Sequence, residues 1–128
     1  MNTKTILVID DEEDIATAIS RALKREGYNV IITSDYKTSI KIIANSGVDL
    51  ILSDVMLPYT GGFDIVDFVR SDEELKHIPV ILVTGMDKDI LFSSSIKADA
   101  IISKPFEMDR LIALVKINLK ENELVPNE

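Results

Sequence analysis

Five short apolar runs alternate along the chain with stretches whose apolar positions recur at helical spacing. The runs are Thr5–Ile9, Asn29–Thr33, Leu50–Ser53, Val80–Thr84 and Ala100–Ser103. Ile6-Leu7-Val8-Ile9 and Leu50-Ile51-Leu52 are unbroken, which is how a parallel strand buried on both faces reads. Strands alternating with helices imply βαβ units and an α/β domain built on a parallel sheet. In the first helix Ile15, Ile19, Ala22 and Leu23 keep one face apolar, and Gly27 stands where it would stop. The second is opened by Ser34 or Asp35, marked by Ile40, Ile43 and Ala44, and closed near Gly47. The third, about Phe63–Arg70, follows Gly61-Gly62 and turns Val66 and Val69 inward. A fourth, near Asp87–Ile96, has the weakest pattern because Ser93-Ser94-Ser95 lowers helix propensity. The fifth carries Met108, Leu111, Ile112, Val115 and Leu119 on one stripe, with Leu114 and Ile117 off it as a hint of a partner face.

Composition narrows the classes. At 128 residues, 46% hydrophobic and 28% charged, the chain reads as one globular domain over 1–121. Residues 122–128 form a polar tail or the start of a linker. A formal net charge of -8 argues against direct nucleic-acid binding, which depends on Lys and Arg neutralising phosphates. With no cysteine, disulfides, thiolate zinc sites and cysteine nucleophiles are excluded. The single histidine, His77, reads as a solvated loop residue and cannot build a multi-histidine site. The start, Met1-Asn2-Thr3-Lys4, does not resemble a signal peptide, and no apolar run reaches membrane-spanning length. Cytoplasmic residence without membrane contact is the expectation.

Chemistry concentrates where the strands end. Asp10 and Asp11 follow the first strand, Asp54 the third, Thr84 closes the fourth and Lys104 follows the fifth. In an open α/β sheet the carboxyl ends of the strands are where ligands bind. Two carboxylates about 4 Å apart repel by roughly 4 kcal/mol at an effective dielectric of 20, so converging acids call for a cation. Mg²⁺ suits the set, being a hard octahedral ion held by one or two carboxylates, waters and phosphate oxygens. Each residue alone has a plain alternative: a helix-opening acid pair, turn chemistry before Pro58, a strand-end threonine, a solvated lysine. Their coincidence at one sheet edge favours function.

Four motifs then occur in order: Val8-Ile9-Asp10-Asp11-Glu12, Ser53-Asp54-Val55-Met56-Leu57-Pro58, Val83-Thr84-Gly85 and Ser103-Lys104-Pro105-Phe106. With them the chain, from about Thr5 to Leu119, resembles the response-regulator receiver domains of two-component signalling. The resemblance implies a doubly wound five-stranded parallel sheet of order 2-1-3-4-5 with helices on both faces. It implies that Asp54 accepts a phosphoryl group from a histidine kinase or histidine phosphotransfer protein. Asp11, Asp54 and the Met56 carbonyl would hold Mg²⁺, with Asp10 acting through a bound water. Thr84 would hydrogen-bond the phosphoryl, and Lys104 would pair with it and, before that, with the acids. Lys104-Pro105 matches a peptide bond that is usually cis in the family. Such a domain catalyses only its own phosphorylation and slow dephosphorylation. It then changes the surface of the fourth helix, fifth strand and fifth helix for a downstream protein, a missing output domain or a second copy in a homodimer.

Two positions depart from the pattern. Ile101 stands three before the lysine, where the family usually has an aromatic ring that moves with the hydroxyl. Lys97 stands where glycine is common. Ile101 supports one rival, a non-switching interaction or dimerisation module. A second rival, an aspartyl-nucleophile phosphatase, would carry a second acid two residues after the nucleophile, and here that residue is Met56. A flavin site is disfavoured because no Gly-rich phosphate loop follows the first strand.

Overall fold

The computed structural model describes residues 3–55, 62–85 and 97–120. Five parallel strands lie in the order β2-β1-β3-β4-β5: β1 Thr5–Ile9, β2 Asn29–Thr33, β3 Leu50–Asp54, β4 Val80–Thr84 and β5 Ala100–Ser103. Four strands have the bounds expected from the sequence, and β3 runs one residue further, through Asp54. The helices are α1 Glu13–Arg25, α2 Tyr36–Asn45, α3 Gly62–Arg70 and a last helix, Met108–Asn118. The expected fourth helix near Asp87–Ile96, the tail 122–128 and Met56 lie outside the described residues.

Strand geometry sends alternate side chains to opposite faces, and both faces are apolar, so both must be covered. On one face Leu7, Ile9, Ile51 and Leu82 pack with Ile43 of α2 and Ile65, Val66 and Val69 of α3. On the other, Ile6, Val8, Leu52, Ile81 and Val83 pack with Ala16, Ile19 and Leu23 of α1 and with Leu111 and Val115 of the last helix. The sheet is therefore doubly wound. Two details differ from the helical patterns: Ala44 is exposed, and Leu114 is half-buried against the second cluster. Ile117 does stand exposed.

Helix ends explain how the chain returns to the sheet. Acids Glu13 and Asp14 open α1 and Lys24 and Arg25 close it, in the sense the helix dipole favours. Gly27, at φ +97, donates to the Lys24 carbonyl while Tyr28 N–H reaches Leu23, a double closure that needs the left-handed backbone glycine adopts readily. Asp35 caps α2 by accepting the Thr38 N–H at 2.7 Å. At the amino edge of the sheet, Asp49 accepts the Thr5 N–H at 2.8 Å and ties β3 to β1.

The Arg70 guanidinium sits where α3 ends and gathers three pieces of chain. It donates to the carbonyls of Lys76 at 3.1 Å, Ile78 at 2.9 Å and Lys97 at 3.0 Å, and it pairs with Asp99. Asp99 also accepts the Val80 N–H at 2.8 Å. The turn before β4 and the approach to β5 are thus held by one side chain. His77 is exposed in that turn.

Leu111 is fully buried where the last helix meets the sheet. Leu111→Ala is expected to lower unfolding free energy by about 3 kcal/mol. Ile117→Ala, on the exposed side of the same helix, is expected to change it by less than about 0.5 kcal/mol. Urea denaturation midpoints of the two variants check both.

Candidate functional site

Parallel pairing delivers every strand's carboxyl end to the same edge, and the register there is tight. Ile9 pairs with Ser53, Asp54 with Val83, and Thr84 with Ser103. Beyond the paired residues the ladder continues through Asp10 N–H to Thr33 O at 3.0 Å and Lys104 N–H to Thr84 O at 2.6 Å. Residues 10, 54, 84 and 104, distant in sequence, are positioned at one edge by backbone bonding alone. Asp10, Asp54 and Thr84 are buried there, and Gly85 is exposed. The Lys104-Pro105 bond is cis.

Lys104 is the hub. Its Nζ donates to Asp54 Oδ2 at 2.8 Å and Glu12 Oε1 at 3.1 Å, and Asp10 Oδ2 lies at 3.6 Å. Burial alone would lower its pKa, but the bonded carboxylates of Asp54 and Glu12, with the charges of Asp10 and Asp54, hold it above the ordinary lysine range. It carries a full positive charge at neutral pH.

Carboxylate oxygens of Asp10, Glu12 and Asp54 come within 4.8 Å of one another. Burial pushes the Asp10 carboxyl up. The Glu12 N–H, bonded to its Oδ1 at 2.9 Å, and the Lys104 charge oppose that, while the charges of Asp54 and Glu12 add to it. One ammonium against three carboxylates leaves two formal negative charges in the group. Hard oxygen donors with an unbalanced double charge fit a hard divalent cation such as Mg²⁺.

The membership of this group differs from the expected one. Asp11 is exposed and outside it, lining instead a cavity of about 260 Å³ between the start of α1 and the end of β2 with Asp10, Glu13, Thr33 and Ser34. Glu12, which the sequence did not single out, belongs to the group. The cause is local: the bond from the Glu12 N–H to Asp10 makes a tight turn at the strand end, which brings side chains 10 and 12 together. Reading the run of five acids, Asp10 to Asp14, as a helix start preceded by such a turn would have pointed to Glu12. Ile101 is buried in the cluster that faces α2 and α3, with Ala98 packed against it. Beside Lys104 opens a largely apolar cavity of about 520 Å³, lined by Ile15, Ala18, Pro105, Phe106 and Met108.

A family model described as the response regulator receiver domain matches residues 6–116. Among solved structures, a response regulator receiver domain protein from Methanospirillum hungatei JF-1 is 30% identical, with TM-score 0.84, covering 95% of this chain and 98% of its own. The signal receiver domain of a signal transduction histidine kinase from Syntrophus aciditrophicus is 26% identical, with TM-score 0.86, over 98% and 97% of the two chains. A response regulator protein from Thermotoga maritima, solved in complex with Mg²⁺ and BeF, is 28% identical, with TM-score 0.81, over 91% and 99%.

The raised Asp10 pKa carries a sign. A carboxyl that is harder to ionise in the folded state loses stability as pH rises from its unfolded value, about 3.9, through its folded one. Asp10→Asn keeps an acceptor for the Glu12 N–H and removes that charge. Without divalent cation the variant is expected to melt a few degrees higher than the parent at pH 7, with the gap closing as pH falls. Added Mg²⁺ is expected to stabilise the parent and leave the variant nearly unmoved. Thermal melts across pH, with and without Mg²⁺, measure all three effects.

Proposed function

The chain belongs to the response regulator receiver domain family, and on that premise we propose that it is a phosphorylation-driven signalling switch whose acceptor is Asp54. The observation that carries this reading is the 2.8 Å contact between Lys104 Nζ and Asp54 Oδ2 at a sheet edge with surplus negative charge. In the reaction an Asp54 oxygen bonds to phosphorus as the phosphorus–nitrogen bond of a donor phosphohistidine breaks. Asp10, Asp11, Asp54 and the Met56 carbonyl are the proposed cation-holding groups, and bound Mg²⁺ supplies charge neutralisation at the transferring phosphoryl. Lys104 follows the phosphoryl oxygens, and the Thr84 hydroxyl donates to one of them.

The donor is a histidine kinase or histidine phosphotransfer protein. It must bring its ring to within bonding distance of Asp54, so the apolar cavity beside Lys104 is the surface it covers. Output follows from the added charge and acceptor oxygens, which bias the Gly85–Ile96 stretch, β5 and the last helix toward a downstream protein, an output domain or a second copy. The proposed setting is the cytoplasm; among the described residues no helix is long and apolar enough to cross a membrane. Buried Ile101 favours a second reading, a receiver-like interaction module that does not switch. Hydrogen exchange unchanged by Mg²⁺ and beryllofluoride would support that alternative.

Incubation with acetyl phosphate and Mg²⁺ is expected to add one acid-labile phosphoryl group to the parent and none to Asp54→Asn, read by intact mass. A variant that still gained the group would refute Asp54 as acceptor. Ala18→Arg, on the exposed wall of the cavity, is expected to slow transfer from a phosphorylated protein donor at least tenfold. That follows if one bulky charge costs about 1.4 kcal/mol at the contact. Its labelling by acetyl phosphate is expected to match the parent.

A further inference from the structure

Glu12 holds Lys104 without any role in the reaction proposed above. It precedes the first residue of α1, where a side chain commonly caps the helix, yet its carboxylate makes no capping bond. That carboxylate reaches across to Lys104 at 3.1 Å. The backbone beneath it is fixed, because its N–H is bound to Asp10. The side chain above is 59% exposed, so it can leave for water without unfolding anything. An ammonium has three protons to donate, and Lys104 aims at Asp54, Glu12 and Asp10 together.

We infer that Glu12 is a releasable counter-ion of Lys104, one that competes with a phosphoryl group on Asp54 and so weakens the phosphorylated state. The inference rests on the reading of Asp54 as acceptor. A phosphoryl group attached at Asp54 brings about two negative charges and three acceptor oxygens to the same ammonium. Glu12 offers that ammonium a rival partner, and a carboxylate oxygen of Glu12 lies within 4.8 Å of one on Asp54. Either the Glu12 contact breaks or like charges crowd around Lys104. Both effects act against the anion, and both act in favour of a cation at the same place. Glu12 is thus a positioning residue whose removal moves anion and cation affinity in opposite directions.

The test uses the full chain and beryllofluoride, at Mg²⁺ concentrations that saturate each variant, with binding followed by fluorine NMR. Glu12→Gln is expected to bind beryllofluoride roughly fivefold more tightly than the parent, the upper range for an exposed ion pair. The same variant is expected to bind Mg²⁺ alone more weakly than the parent. Glu74→Gln removes an equal charge from the exposed turn before β4, at the opposite edge of the sheet, and is expected to stay within about twofold on both counts. Equal or weaker beryllofluoride binding by Glu12→Gln overturns the inference and leaves the acceptor reading standing. Equal gains in Glu12→Gln and Glu74→Gln overturn it too, since bulk charge would then suffice. A parent that takes up no beryllofluoride overturns both together.

Discussion

A lysine ammonium bonded to carboxylates from two other parts of the chain closes the open edge of this sheet. Asp54, fifty positions before Lys104, ends β3, and Glu12 lies 92 positions before it. Nothing local joins these residues; the pairing exists because five parallel strands end together. The described helices cover the two sheet faces, and their packed residues lie in the two apolar layers and not at the carboxyl edge. Charge is tolerated there and would not be tolerated in either apolar layer. The site is therefore a consequence of the topology, and under the proposed function its chemistry depends on Lys104 being able to change partners.

That arrangement opposes stability. Asp10 is buried with its carboxyl pushed up, beside two more acids and one balancing cation. A sequence selected only to fold would place at least one neutral side chain in that group. The cost is met elsewhere, by two continuous apolar clusters and by polar ties at the opposite edge, where Arg70, Asp99 and Asp49 secure the strand beginnings. One edge is held by complementary charge and the other carries an excess of one sign. Only the second has spare capacity for a ligand.

Much of this was legible along the chain because its signals are local. Apolar runs marked the strands to within one residue, most cleanly in β1, β3 and β4, whose burial on both faces leaves no polar alternation to blur their ends. Gly27 marked the end of α1 because the closure there requires a left-handed backbone. What the chain hid depends on distance or on a single turn. Arg70 looked like an ordinary last-turn cation, and nothing nearby announced the carbonyls of Lys97 and Ile78 it would meet. Ala44 sat at helical spacing, yet the residue is exposed while its neighbour Ile43 is buried. Ser39 gave no apolar signal but is fully buried, its hydroxyl shared with Thr33 at 2.7 Å and bonded to the Asp35 carbonyl at 2.6 Å. The presence of Glu12 in the acid group turned on one backbone bond.

The same geometry bears on how a change at the site would travel under the proposed function. An aromatic ring at position 101 could swing between an inner and an outer position as Thr84 moves. Ile101 is instead a buried, β-branched residue in the apolar cluster facing α2 and α3, beside its β4 partner Leu82, and a branched aliphatic cannot repeat a ring's exchange between two positions. Relay through a side chain is thereby closed, and the backbone remains. Thr84 O accepts the Lys104 N–H at 2.6 Å, so the ends of β4 and β5 move as one piece. Just before β5, Arg70 donates to the Lys97 carbonyl at 3.0 Å. Under the proposed function, a shift at Thr84 would therefore reach β5 through the paired backbone, the connection the missing ring would otherwise have made through a side chain.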